Sequence, residues 1–483
     1  MLHAQGAASI MRAMKILLRL MLVLVAGAAV VAQEPANGFR ERAIAMTRDA
    51  LRTHNSHALL GRLLQYAPKR LAGSPGAKDA AEWGVAEMKA IGLKNVHLEE
   101  VTVPVWDMGA VCRVQVLHAD GTVTELRALP LGGSEPTPQG GVEAEVLAVK
   151  SFGQLRALGD AAKGKLIFFA RPFDTSLLSA GQAYGESVVQ RGQGAIEAAK
   201  VGGVGALVRS AGSGGLEDDF PHTGAMNYAD DGVRVPACAL SLKAAEALNK
   251  ALDAAAGKPV RVRWVQDCAN KGTGPGWNVV GDIPGALTPQ EIVLIGGHID
   301  AWPAGDGAHD DGAGCAHVLE AARIILGSGA APRRTVRCVL FANEENGLAG
   351  GKGYALQHLA ELPQHVAALE SDSGGFAPRG VGVGGGKAQL EAMADLALHL
   401  QALNLGTVKP GGGGADISPM AAHGVPQLSL EVAGERYFDL HHTAKDKIEN
   451  VHPRELALGA AVLGITALHL ADAPTNLPRQ AAK

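Results

Sequence analysis

Three short apolar runs, "EIVLIGGHID" (Glu291–Asp300), "RTVRCVLFANEE" (Arg334–Glu345) and "HVAALESD" (His365–Asp372), each break off in ionisable residues. Runs of this length and β-branched content read as strands buried on both faces, which require cover from helices. The segments between them, "GAGCAHVLEAARIIL" and "GGKGYALQHL", carry helical patterning. The expected fold is therefore α/β, a mostly parallel central sheet flanked by helices. In such sheets functional groups gather beyond the carboxyl ends of the strands.

At those ends stand His298 and Asp300, then Glu344 and Glu345, then Asp372, while Asp310 and Asp311 follow in a Gly-rich loop ahead of a helix. One histidine is usually a hydrogen-bonding residue, and one acidic residue before a helix is usually a cap. Three strand ends with the same chemistry point instead to a metal centre. Histidine and carboxylate without cysteine suit zinc in a catalytic site that keeps positions open for water. Asp300, two residues beyond His298, projects to the same side of an extended chain and can accept the other ring N–H. The excess of carboxylates suggests two zinc ions per chain with one Asp between them. The Glu344–Glu345 pair then divides into a ligand and a proton acceptor. A further histidine is wanted, and "YFDLHHTAKD" offers His441 and His442.

The 483 residues, 47% of them hydrophobic, suffice for two or three domains. The net charge of −4 and the lack of a basic stripe with aromatics argue against nucleic acid as a partner. Arg12, Lys15 and Arg19 precede "LMLVLVAGAAVVA", the pattern of a signal peptide over 1–32. The expectation is an exported protein, periplasmic or secreted, without stable membrane insertion and with no later segment fit to span a bilayer. Five cysteines, odd in number and without CxxC spacing, make neither a disulfide framework nor a thiolate metal site. From about Val142 the texture becomes a self-contained β/α unit, and "VRVRWVQDC" reads as a return to the first texture. A catalytic domain over 33–135 and 260–475, an insert over 136–259 and a tail over 476–483 follow from that reading.

Taken together, "RLAGSPG", "GGHIDAW", "AHDDGAG", "NEENG", "ESDSGGFAPRG", "GGADI" and "YFDLHHTAKD" resemble the co-catalytic zinc exopeptidases of the aminopeptidase and glutamate carboxypeptidase superfamily. The segments "RGQGAIEAAKVGGVGALVRS" and "PHTG" make the insert similar to a protease-associated domain. The resemblance implies that His298 and Asp372 hold one zinc and Glu345 and His442 the other. It further implies that Asp310 bridges them through a cis Asp310–Asp311 bond, that Asp300 orients His298, and that Glu344 is the general base for a metal-bridging hydroxide. His442 is preferred to His441 because the family's ligand directly precedes Thr or Ser.

The implied substrate is a dipeptide or short peptide with free termini, and a homodimer is the implied assembly. Asp416 is a candidate for the substrate ammonium, with a turn or cap carboxylate as the alternative. His222 and Tyr228, in "PHTGAMNYADD", are candidates to close over the substrate. An aminopeptidase acting on longer peptides remains open. The Glu–Glu pair and the insert argue against a single-zinc glutaminyl cyclase, and the filled ligand positions argue against a non-catalytic receptor-like ectodomain. His309 departs from the family pattern and reads as either a titrating neighbour or a solvated loop residue. Lys445, beside the histidine pair, is a second departure.

Overall fold

The computed structural model describes residues 36–230 and 232–479, so the expected signal peptide over 1–32 lies outside the described residues. Residues 36–42 open the helix Ala36–Thr53, and the chain from Ala43 onward forms one compact unit. The first eight-stranded sheet runs, in spatial order, Lys94–Asp107, Ala269–Ile283, Arg334–Phe341, Thr288–His298, His365–Glu370, Gln427–Val432, Pro378–Val383 and Thr407–Pro410.

The expectation of a mostly parallel sheet is corrected here: the sheet is mixed. Its four central strands, Arg334–Phe341 to Gln427–Val432, pair in parallel. The pairings on either side of them are antiparallel, and only the outermost pair is parallel again. The physical reason lies in the connections. Parallel neighbours need long crossovers, and the central strands have helical crossovers between them; Lys94–Asp107 and Ala269–Ile283 instead run back along each other as a long antiparallel ribbon. The three apolar runs are the central strands, and parallel register brings their carboxyl ends to one edge, with His298 opposite Phe341 and Gly296 opposite Glu370.

The second sheet is also mixed and also eight-stranded. It draws in Cys112–Leu117, Val123–Leu126 and Ala128–Pro130, which precede residue 136, and Arg261–Gln266, which follows 259. "VRVRWVQDC" thus pairs with Cys112–Leu117 and Val142–Glu145 and does not return to the first sheet. Trp264, fully buried, explains why: its indole belongs to the core that Phe168, Leu207 and Leu248 build in the second sheet.

Local rules set the framing helices. Ser74 accepts the Ala77 N–H, Pro75 occupies the first turn and Gly92 closes the helix Pro75–Ile91 at φ 102°. The helix Pro453–Asp472 is 20 residues long and apolar enough to cross a membrane, against the expectation that no such segment follows residue 32. It packs on Ala313–Gly327, with 78% of its apolar window buried, as a core helix does. All five cysteines are free and four are buried.

Two histidines in this core give stability a pH dependence. His317 and His365 are fully buried, and burial pushes them down to about 3 and about 4. Above the unfolded value near 6.5 neither state carries the proton. As pH falls below it, only the unfolded chain takes the proton, so stability is lost until the folded values are reached. Each histidine should cost about 1.4 kcal/mol between pH 7.5 and 5.5. Denaturant midpoints of the metal-free protein at the two pH values should fall accordingly, and by less in His365→Gln.

Candidate metal centre

Beyond the carboxyl edge of the first sheet, five side chains from four loops converge. The Nε2 of His298 lies 3.3 Å from Asp310 Oδ1 and 3.4 Å from Asp372 Oδ1. The Nε2 of His442 lies 3.1 Å from the other oxygen of Asp310 and 3.0 Å from Glu345 Oε2. Asp310 therefore stands between two sets, offering one oxygen to each.

The donors fit zinc. Bonds of about 2.0–2.2 Å at tetrahedral angles place neighbouring ligand atoms about 3.3–3.5 Å apart, close to the spacings found. The Nε2 of His298 and the Oδ2 of Asp310 are both buried without a hydrogen-bond partner, a costly state that a cation would relieve. Electrostatics agree. Burial opposes a charge on His298, yet Asp310 and Asp372 hold its pKa well above the usual range. Burial likewise opposes a charge on His442, but Glu345 and Asp310 raise it to about 10.

Asp311 also approaches His298 and Asp372, but its oxygens are spent: Oδ2 accepts the His298 N–H and Oδ1 the Gly314 N–H. The glycines of the motif have a concrete role here. A Cβ on Gly314 would lie 2.1 Å from both Ser371 O and Asp311 Oδ2, so only glycine lets the helix start pass that close to the strand end. The Asp310–Asp311 peptide bond is cis. His441 stacks on His442 at 3.5 Å, with its Nε2 3.6 Å from Asp310, and makes no contact with Glu345 that matches the one His442 makes.

The chain has relatives among known proteins. The model of Peptidase family M28 matches residues 278–464. Carboxypeptidase Q of Mus musculus is 33% identical over 426 residues, which cover 88% of this chain and 87% of that protein. The chain belongs to peptidase family M28. A solved structure of a peptidase M28 precursor from Shewanella amazonensis superposes with a TM-score of 0.88 at 32% identity, covering 93% of this chain and all of that one. A zinc aminopeptidase from Bacillus subtilis shares the fold at a TM-score of 0.62 and 18% identity, over 89% of this chain and 98% of its own. This M28 chain is accordingly a metallopeptidase and not a receptor-like ectodomain.

In this M28 peptidase Glu344 stands beside the candidate ligands, 22% exposed, with Oε2 4.0 Å from His298 Nε2. Burial, with the charges of Asp372, Glu345 and Asp310, raises its carboxyl well above the usual range. Asp300 acts differently from the expectation. His298 Nδ1 hydrogen-bonds the backbone carbonyl of Asp300 at 3.0 Å, while the carboxylate is 3.8 Å away. That carboxylate accepts the backbone N–H of Glu344 at 3.0 Å instead. One residue thereby sets both a ligand and the neighbouring acid.

Of the three candidate substrate residues, His222 borders the His441–His442 pair, next to Thr223 whose N–H donates to His442 O. Asp416 lies within reach of the charges of Glu344 and His298, and Tyr228 is bonded within the second sheet's unit. Asp416 is fully buried, with both oxygens unpartnered, in a turn whose N–H groups bond Glu370. His222 is 2% exposed, and burial drives it down to about 3. Tyr228 gives its hydroxyl proton to Val235 O and accepts the Glu135 N–H, both local to the second sheet. His309 is neither solvated nor titrating near neutrality. It is 1% exposed, stacks on Phe376, bonds Asn450 O and Gly375 N, and is pushed by burial down to about 4. Lys445 pairs with Asp218 at 2.9 Å and not with a ligand.

Sequence reasoning passed over the residues that hold the loops. Asp446 accepts the N–H groups of His309 and Asp310. Arg70, fully buried, donates to the carbonyls of Ile299, Asp306 and Gly307 and so ties down the loop between His298 and Asp310. Its place in "KRLAGSPG", more than two hundred residues upstream, carried no signal beyond the motif itself. Arg70→Met should destabilise the protein by roughly 3–5 kcal/mol, since three buried carbonyls lose their donor. Urea unfolding of the metal-free variant checks this.

Proposed function

We propose that the protein is an exported exopeptidase that holds two zinc ions and hydrolyses dipeptides or short peptides with free termini. The observation that carries this reading is Asp310, which reaches His298 with one oxygen and His442 with the other. His298, Asp310 and Asp372 would hold one zinc, and Asp310, Glu345 and His442 the other. Bound zinc would polarise the scissile carbonyl and lower the pKa of a water. Glu344, beside the two sets of donors and 4.0 Å from His298 Nε2, would take a proton and pass it to the departing amine.

The second sheet, which we read as a protease-associated unit, supports the restriction to short substrates. Its helix Ala180–Lys200 brings Tyr184 onto Phe438 at 4.3 Å and against His441 at 5.2 Å, closing one side of the ligand cluster. Similarity to carboxypeptidase Q favours recognition of a substrate carboxylate, while the aminopeptidase neighbour shares only the fold.

One peptide in four forms tests the reading: free dipeptide, N-blocked, C-amidated, and a longer peptide with the same N-terminus. Cleavage of the free dipeptide alone, abolished by a chelator and restored by zinc, is expected. Efficient cleavage of the longer peptide would make the protein an aminopeptidase.

A further inference from the structure

The two ligand histidines are oriented by different parts of the molecule. His298 gives its Nδ1–H to Asp300 O, two residues beyond the end of its own strand. His442 finds its acceptor in the other sheet's unit: its Nδ1 lies 3.2 Å from Thr223 O, and the Thr223 N–H donates back to His442 O at 3.1 Å. A carbonyl can only accept, so this contact puts the imidazole proton on Nδ1 and turns Nε2 toward Asp310 and Glu345. His442 also sits at φ 61°, a left-handed conformation uncommon for a residue other than glycine. Thr223 is itself fully buried, and its hydroxyl is bonded to Pro130 O.

Arg191 completes the arrangement from the helix Ala180–Lys200. Its Nε donates to Ala225 O at 3.2 Å, and its Nη1 lies 3.4 Å from both Thr223 O and His442 Nδ1. With Nδ1 carrying a proton, Arg191 cannot donate there, so its Nη1 shares the Thr223 carbonyl with His442 and grips the turn on both sides of Gly224. The close approach needs glycine: a Cβ on Gly224 would lie 2.5 Å from Arg191 Cζ and 2.7 Å from His442 Nδ1.

We propose that Arg191 and Thr223 are positioning residues for the metal held by Asp310, Glu345 and His442, so that this position depends on the second sheet's unit while the His298–Asp372 position does not. The inference rests on the two-zinc reading above. Loss of a residue behind a ligand typically lowers metal affinity about 10–100-fold.

The test is zinc titration and atomic-absorption stoichiometry of the full protein after dialysis against a weak chelator, comparing wild type with Arg191→Met and Gly224→Ala. Wild type should retain two zinc ions, and each variant one. The weaker dissociation constant should rise about 10–100-fold with the tighter one unchanged. A merely structural defect would weaken both constants together, and that result overturns the proposal. Two zinc ions at unchanged affinities in both variants overturn it as well, with the two-zinc reading intact. Wild type holding a single zinc overturns that reading itself. Gly224→Ala carries the test if Arg191→Met does not fold.

Discussion

Glu344→Gln should lower kcat by about 10²- to 10⁴-fold while zinc content stays at the wild-type level. The amide matches the carboxyl in size and keeps the backbone N–H bond to Asp300, so the loop has no reason to move. What it loses is the ability to take a proton. The side chain lies farther from the centre than the proposed ligands: its nearest approach to His298 Nε2 is 4.0 Å, against 3.3 and 3.4 Å for Asp310 and Asp372. Metal analysis beside steady-state kinetics separates the two roles. Full activity with normal zinc would remove Glu344 from the mechanism; loss of zinc would make it a ligand.

Asp310→Asn should have the larger effect on metal. Each Asp310 oxygen faces a different histidine, and the residue is buried, so both positions lose a charged donor at once. The amide nitrogen would point a donor at one of the two positions. Zinc affinity should fall by more than the roughly 10–100-fold expected for a residue behind a ligand, with both positions affected. Peptide hydrolysis should drop below detection at zinc concentrations that saturate the wild type. In contrast to Arg191→Met, which should spare one ion, Asp310→Asn should spare neither. Retention of a single tightly held zinc would show that Asp310 serves one position only.

Much of this candidate centre is legible in the sequence because each proposed ligand sits at a strand end or in a motif of fixed spacing. His298, Glu344, Glu345 and Asp372 end three apolar runs, and parallel pairing brings such ends together whatever the loops do. Asp310 stood out for its setting among glycines that permit close packing. The choice of His442 over His441 came from the motif alone; geometry supplies the reason, since only His442 reaches both Asp310 and Glu345 at about 3 Å.

The sequence by itself determined the chemistry and the edge on which it gathers, because apolar periodicity and residue type act locally. Tertiary structure decided what lies behind that edge. The Asp300 carboxylate turns to the Glu344 N–H, His309 is a neutral core histidine, and "VRVRWVQDC" joins the second sheet, since each outcome depends on partners distant in the chain. The same holds for Arg70 and Asp446, whose hydrogen-bond partners lie up to 237 residues away, and for Arg191, which grips a turn beyond its own helix. A buried polar group must find its partner somewhere, and where that partner lies is a property of the fold and not of the neighbouring sequence.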